Sequence, residues 1–149
     1  MRLVADAVRD VMLYVEQNQN AQYDHTGVFE LKSLSPKHIL DDLGETNRYT
    51  REEAEYALRL LYAEKFLLGK HSTGKNGRIT TLTITGISYE GHQFLDSIRN
   101  NTVWNKVKNQ TCKLGITGIK ELYHICKTVI GKMIEDPELF SNILSELKN

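Results

Sequence analysis

The sequence predicts an α+β fold on the basis of two adjacent patterns in the middle of the chain. In residues 50–64 apolar side chains recur at helical spacing, and the segment opens with Thr50 and Glu53 placed as a capping box. Residues 66–84 hold two strand-like runs that flank a glycine-containing turn, the pattern of a β-hairpin. A capped helix followed by a hairpin indicates the second half of a winged helix-turn-helix, and later apolar stripes predict additional C-terminal helices.

The N-terminal segment supplies the elements that this fold needs before the capped helix. The predicted elements are an amphipathic helix ending near Gln17, a polar loop over residues 17–22, a short strand over residues 28–31 that adds an edge to the later hairpin, and a short helix over residues 35–44. The short helix has clear boundaries, because Ser35 is a favoured N-cap, Pro36 suits the first helical position and Gly44 suits the end. Two helices therefore meet across a short connection of the helix-turn-helix type.

After the hairpin the pattern is helical. The predicted helices start at Ser88, at Thr102 with Trp104 inside and Gly115 at the end, near Thr117, and at Asp136-Pro137 with a last stripe of Phe140, Ile143, Leu144 and Leu147. If residues 1–100 are a complete winged-helix domain, little of it is left to cover the stripes after Thr117. We therefore expect residues 101–149 to be a helical extension used for packing or for homodimerisation.

Composition limits the classes of function. A chain of 149 residues with 40% hydrophobic residues can bury the core of one domain with an appendage. Its 19 basic and 19 acidic residues balance, so binding to nucleic acid has to depend on a local patch. The N-terminal residues lack the apolar core of a signal peptide, and no uncharged apolar stretch reaches the ~18 residues that span a bilayer. These features predict a cytoplasmic protein without membrane association.

The sequence gives no support for a catalytic, metal or cofactor site. Cys112 and Cys126 complete no metal pattern and are interpreted as reduced thiols. His38 and His92 have no neighbours at ligand spacing, and the adjacent carboxylates Asp41-Asp42 point in different directions on a helix. Because no nucleophile elbow, phosphate loop or zinc signature occurs either, we expect a non-enzyme with no catalytic residues, metal or cofactor.

The candidate DNA-binding residues are six cations. They are Lys70, Lys75 and Arg78 on the hairpin, and Arg48, Arg51 and Arg59 on or just before the capped helix. Residues 65–89 contain four cations and no acid, which favours contacts with phosphate. The alternative is that exposed lysines on this hairpin only discourage edge-to-edge strand pairing.

The capped helix is less favourable for DNA. Its four glutamates outnumber its two arginines, and carboxylates near phosphate are repulsive. Glu55 lies four residues from both Arg51 and Arg59, the spacing at which opposite charges pair along a helix. The alternative for this face is therefore an ordinary solvated surface.

Two later segments carry a resemblance to a known family. Residues 89–99 (YEGHQFLDSIR) and 103–108 (VWNKVK) resemble an uncharacterised family of short bacterial and prophage proteins, a domain of unknown function with a winged-helix-like N-terminal half and a helical tail. The similarity covers most of the chain and fades after about Gly115. Residues 87–91 also look like the Leu-Thr-x-x-Gly element that leads from strand to helix in winged-helix families. The resemblance implies this fold and no activity, so no functional residue is inherited from it.

Two hypotheses for function follow. In the first, the chain is a small, prophage-encoded winged-helix protein that binds double-stranded DNA as a homodimer and acts as a regulator or accessory factor. The alternative keeps the fold but makes the protein an interaction module, a phage factor that engages a host protein without binding DNA. The acid-free hairpin favours DNA, whereas the zero net charge and the glutamate-rich helix favour the alternative.

Overall fold

The computed structural model describes residues 1–114, 118–135, 138 and 145, which form an α+β fold as predicted. The elements are, in chain order, α1 (Ala5–Asn18), β1 (Ala21–Tyr23), β2 (Phe29–Leu31), α2 (Pro36–Leu43), α3 (Arg51–Ala63), β3 (Leu67–Thr73), β4 (Ile79–Ile87), α4 (Tyr89–Ile98), α5 (Asn101–Leu114) and α6 (Ile119–Ile134). The strands form two antiparallel sheets, one of β1 with β2 and one of β3 with β4. The chain divides into two compact units, Met1–Gly91 and His92–Asn149.

The first unit is built around three helices whose apolar faces are buried. α1 packs against α2, α3 and β4. The buried side chains of α1 are Ala7, Val8, Val11, Met12 and Val15. Those of α3 are Ala54, Ala57, Leu58 and Leu61, the positions that helical spacing predicted. Because each fully buried large aliphatic side chain contributes roughly 1.5–3 kcal/mol, these two faces supply much of the stability of the unit.

The predicted boundaries of α2 and α3 are confirmed. The Ser35 hydroxyl accepts a backbone N–H of the first turn of α2 at 3.1 Å, and Gly44 follows the helix with a φ of +69°. At the start of α3, the Thr50 hydroxyl accepts the Glu53 N–H (3.1 Å) while the Glu53 carboxylate accepts the Thr50 N–H (3.0 Å). Both caps satisfy backbone groups that a helix end leaves without partners.

The prediction for the segment between α1 and α2 is wrong in its strand pairing. The predicted strand forms as β2, but it pairs with β1, which begins within the stretch predicted as a polar loop. The turn between the two strands explains this result. Asp24 Oδ1 accepts the backbone N–H groups of Thr26 (2.8 Å) and Val28 (2.9 Å), and Gly27 adopts a φ of +82°. This local turn brings β2 back onto β1, so β2 does not extend the later hairpin.

The later hairpin is instead contacted by Leu34, just before α2. The Leu34 N–H donates to the carbonyl oxygen of Ile84 at 2.6 Å, and the Ile84 N–H donates back at 2.8 Å. This single antiparallel bridge places Leu34 beside β4 on the side opposite β3. The connection between the first hairpin and α2 is therefore tied to the sheet.

The predicted ribbon over residues 66–84 is confirmed as the β3–β4 hairpin. Its register is irregular after Leu68 and after Ser72. At the tip, the Gly74 N–H donates to the Arg78 carbonyl oxygen at 2.8 Å, and Gly77 has a φ of +77°. A non-glycine residue adopts that φ only with strain, which explains the glycine at this position.

The base of the hairpin is joined to the start of α4 through the carbonyl oxygen of Phe66. This oxygen accepts both the N–H of Ser88 (3.1 Å) and its hydroxyl (3.2 Å), and the same hydroxyl accepts the N–H of Gly91 at 3.0 Å. A Cβ at Gly91 would lie 2.2 Å from the Phe66 oxygen, closer than real Cβ contacts come. The Ser-x-x-Gly spacing therefore has a direct structural cause.

The second unit is helical where it is described. The rings of Phe94 and Tyr123 meet edge to face with their centroids 5.4 Å apart. Asn100 Oδ1 accepts the N–H of Val103 at 3.1 Å, so the capping oxygen comes from Asn100, earlier than the predicted start at Thr102. An asparagine is among the strongest N-cap residues, which explains the earlier start.

The expectation that the α6 stripe lacks cover is wrong. Its buried side chains are Ile119, Leu122, Cys126, Val129 and Met133. Trp104 of α5 is 2% exposed and also belongs to the core. The features predicted at Gly115, at Thr117, at Asp136-Pro137 and in the last stripe lie outside the described residues. Among the helices that are described, none combines the length and the apolar character needed to cross a membrane.

We predict that Gly91→Ala destabilises the protein by roughly 1–3 kcal/mol, the usual cost of overpacking, since the added methyl group overlaps the Phe66 carbonyl. Gly131→Ala is the matched control, because nothing lies within 4 Å of a Cβ at this helical position. We expect it to stabilise by about 0.5–1 kcal/mol through backbone entropy. Urea unfolding curves measure both changes, and equal midpoints for the two variants would contradict the prediction.

We predict that the two cysteines differ sharply in reactivity. Cys112 is exposed, whereas Cys126 is buried and burial raises the pKa of its thiol to about 12. Since the thiolate is the reactive form, maleimide at ~pH 8 should label one thiol in the native chain and two in denaturant. Mass spectrometry counts the labels, and Cys112→Ser should leave no fast-reacting thiol. Rapid labelling of Cys126 in the native protein would show that α6 is not packed as described.

Candidate nucleic-acid interface

The three predicted cations of the hairpin lie on one ribbon and are exposed. Lys70 is opposite Thr83 in the ladder, Lys75 is in the tip, and Arg78 directly precedes β4. Within the described part of the chain, Lys70, Lys75 and Arg78 form no ion pair. Since residues 65–89 contain no carboxylate, their charge is not offset along this stretch.

The tip that carries Lys75 and Arg78 is an ordered turn. Besides the bond between Gly74 and Arg78, the Gly77 N–H donates to the Gly74 carbonyl at 3.0 Å, and the Arg78 N–H donates to Asn76 Oδ1 at 3.2 Å. These bonds occupy the backbone donors of Gly77 and Arg78. The turn therefore offers its cationic side chains, and not those two amides, to a ligand.

A contact between α3 and β3 fixes the hairpin against the helix. The Tyr62 hydroxyl and His71 Nδ1 are 2.5 Å apart, and the two rings meet edge to face with centroids 5.6 Å apart. At Gly69, a Cβ would lie 2.1 Å from the Thr83 carbonyl oxygen and 3.3 Å from the Tyr62 ring. The glycine thus allows the close approach that brings β3 under the end of α3. Sequence reasoning missed this contact, because no local spacing links a helical tyrosine to a strand histidine.

The two predicted cations on α3 are both bound to carboxylates of the same chain. Arg59 contacts Glu55 Oε1 through Nη2 (3.1 Å) and Nε (3.3 Å), which confirms the predicted pair. Arg51 instead contacts Asp41 of α2, with 2.8 Å between Nη1 and Oδ1, so the predicted pairing with Glu55 is wrong. The reason is position: Arg51 is the first residue of α3, beside the end of α2, where Asp41 lies within reach.

Arg48 is held in the connection before α3. Its Nη2 lies 2.7 Å from Asp10 Oδ2 on α1, and the Tyr49 hydroxyl donates to the same oxygen at 2.7 Å. The Asp10 side chain is only 19% exposed. Burial, together with the bond to Asp10, raises the pKa of the Tyr49 hydroxyl, so the phenol remains a donor in this cluster. Arg48 therefore ties the connection to α1, a role that the sequence did not reveal.

The neighbouring carboxylates Asp41 and Asp42 do not act as a pair. Asp41 binds Arg51 and Lys37, and the hydrogen bond from Arg51 is the main reason that the pKa of Asp41 is lowered. Asp42 accepts the Tyr14 hydroxyl and lies 3.3 Å from Nε2 of His38. Asp41 therefore connects α2 to α3, and Asp42 connects α2 to α1, while each also contacts a residue of α2. In the described residues no group of three or more histidine, cysteine, aspartate or glutamate side chains is placed to hold a metal ion.

An open cleft of about 490 Å³ lies at the connection between α2 and α3. Its charged lining consists of Asp41, Glu45 and Arg51, with Tyr49 contributing an aromatic ring. Two carboxylates beside one arginine make this cleft slightly anionic. It therefore does not extend the cationic surface of the hairpin toward α3.

Comparisons with known proteins give a family and no activity. An uncharacterized protein of Haemophilus influenzae is 35% identical over 52 residues, which are 32% of this chain and 42% of that relative. The match therefore spans less than half the length of the relative. No solved structure matches the chain. The family described as Hypothetical protein (DUF2513) matches residues 2–117, which is most of the chain and agrees with the span of the resemblance seen in the sequence. The chain therefore belongs to this family of hypothetical proteins, DUF2513.

Proposed function

We propose that the protein is a small cytosolic winged-helix protein that binds double-stranded DNA and acts as a regulator or accessory factor, not as an enzyme. Its assignment to a prophage follows from the resemblance of residues 89–108 alone. The observation that carries the proposal is the β3–β4 hairpin, which has exposed cations at Lys70, Lys75 and Arg78 and no carboxylate. Lysine and arginine side chains on a projecting ribbon are suited to phosphate oxygens.

The order of elements supports the winged-helix part of the proposal. Apart from the β1–β2 hairpin, which lies between α1 and Leu34, the elements follow the winged-helix order. This order is α1, the bridge residue Leu34, α2, α3 and the β3–β4 hairpin. The Leu34 bridge gives β4 a second neighbour, which is the place of the first strand in a three-stranded winged-helix sheet. In winged-helix proteins the helix at the position of α3 commonly lies in the major groove, and the hairpin at the position of β3–β4 is the wing.

A second candidate function is the protein interaction module, and the β1–β2 hairpin favours it. Tyr23, Val28 and Phe29 are 72%, 58% and 57% exposed, and the two aromatic rings meet edge to face at 5.8 Å. Exposed aromatic side chains are enriched at the centres of protein interfaces. The partner in this candidate is a host protein, and no DNA binding is required.

Homodimerisation through the C-terminal helices remains a part of the proposal. Within the described residues its support is reduced, because the apolar stripe of α6 is buried in the single chain. Ile134 at the end of this helix is the large apolar side chain of α6 that stays exposed. A dimer would double a cationic surface that is small in one copy.

We predict that the full-length chain binds mixed-sequence duplex DNA at ~50 mM salt and that its affinity falls steeply as salt rises, because bound phosphates release counterions. The double variant Lys75→Gln, Arg78→Gln should flatten the slope of log affinity against log salt by ~2 for each bound copy of the chain, since about one counterion is released for each phosphate contact. Fluorescence anisotropy over a salt series measures both slopes.

Lys106→Gln is the matched control for this series, because Lys106 is an exposed cation of α5 outside the hairpin. Its slope should equal that of the unchanged protein. Absence of binding at the lowest salt would reject the DNA proposal and favour the interaction module.

We predict that the chain, with a mass of 17.1 kDa, sediments as a species of twice this mass at high concentration and dissociates on dilution. The physical reason is that a second copy would cover Ile134, the large apolar side chain of α6 that is exposed in the single chain. Sedimentation equilibrium over a hundredfold range of concentration, ~1–100 µM, measures the mass directly. A mass equal to that of one chain at every concentration would reject the homodimer and leave the DNA proposal to be judged by the salt series.

A further inference from the structure

We infer that the protein binds duplex DNA through its phosphates and without reading the base sequence, using the β3–β4 hairpin and not α3. The inference rests on the proposed function and specifies the kind of DNA site: any duplex of sufficient length, in place of a defined operator. It follows from how the charges on α3 and on the hairpin are paired.

The outward face of α3 carries no net positive charge. Arg51, Glu52 and Arg59 are exposed and Glu55 is half-buried, so two cations face two carboxylates. Both cations are also engaged, Arg51 with Asp41 of α2 and Arg59 with Glu55 through two nitrogens. Glu52 has no ion-pair partner in the described residues. A duplex brought against this face would meet at least one unpaired carboxylate.

Base readout would require these arginines to exchange their partners. An arginine distinguishes guanine by donating two hydrogen bonds to O6 and N7, and it needs a free guanidinium edge to do so. If Arg59 turned toward a base, Glu55 would be left without its partner beside the DNA. If Arg51 did so, Asp41 would lose the hydrogen bond that lowers its pKa. Each exchange therefore breaks an existing ion pair. It gains a contact between arginine and base but leaves a carboxylate that is repelled by the phosphates.

The hairpin requires no such exchange. Lys70, Lys75 and Arg78 are exposed cations without an ion pair in the described residues, and the neighbouring side chains are mostly uncharged. The hydroxyl-bearing neighbours on the two strands are Ser72, Thr73, Thr80, Thr81, Thr83 and Thr85. Lysines and hydroxyl groups on phosphate fix the position of a protein on a duplex but carry no sequence information. Three such cations correspond to a salt slope of about −3 for each bound copy of the chain.

Selection of duplexes from a randomised library by the full-length protein tests the inference. We expect no enriched motif and equal affinity, within about threefold, for any two duplexes of the same length. An enriched motif would overturn the inference while leaving the proposed function intact. Failure to retain any duplex at ~50 mM salt would instead reject the proposed function, so the two failures are distinguishable.

Matched variants in the same assay locate the contact. Lys70→Gln should weaken binding to all duplexes by the same factor and flatten the salt slope by ~1 for each bound copy of the chain. The charge-neutral pair Glu55→Gln with Arg59→Gln should change affinity by less than about twofold, with circular dichroism showing that α3 is retained. A tenfold loss in that pair, with the fold preserved, would place α3 against the DNA and overturn the inference.

Discussion

The position of the cationic hairpin depends on one backbone acceptor, the carbonyl oxygen of Phe66. This residue follows α3 and precedes β3, while its donor Ser88 lies between β4 and α4. The two bonds from Ser88, with Gly91 leaving room for the close approach, therefore join the ends of four elements at one point. The Tyr62–His71 contact adds a second attachment farther along the ribbon. The hairpin is therefore attached to its neighbours at two places, at its base through Ser88 and within β3 through His71.

A formal charge of zero conceals an uneven distribution of paired and unpaired charge. The arginines on or before α3 are joined to Asp10, Asp41 and Glu55, so their fields are cancelled over a short distance. The hairpin cations have no such partners among the described residues. Attraction for a polyanion is therefore concentrated at the hairpin, although the sum over the chain gives no hint of it.

Features determined by neighbouring residues could be predicted from the sequence, and features that depend on distant residues could not. The caps at Ser35 and Thr50 and the Glu55–Arg59 pair follow from spacings of three or four residues, and all three form. Arg48 and Asp10 are 38 residues apart, so nothing in local spacing points to their contact. The partner of Arg51 was wrongly predicted for the same reason. Glu55 has the right spacing on the same helix, but Arg51 binds Asp41 of α2. β1 was missed because the Asp24 turn, and not a strand-like composition, brings it into a sheet.

The ion pairs that neutralise α3 are exposed, and such pairs contribute about 0–1 kcal/mol each, so their stability alone does not keep α3 from DNA. DNA binding at α3 is opposed instead by the carboxylate that is left unpaired when its arginine turns toward the DNA. A basic protein surface would instead be attracted to α3, because its cations could pair with Glu52 and with any carboxylate that loses its arginine. Among the proposed partners, duplex DNA suits the β3–β4 hairpin and a basic protein surface suits α3. An apolar protein surface suits the exposed aromatic side chains of β1–β2. Under the two proposed functions, a polyanion would compete with DNA at the hairpin, and a polycation would compete with a basic protein surface at α3.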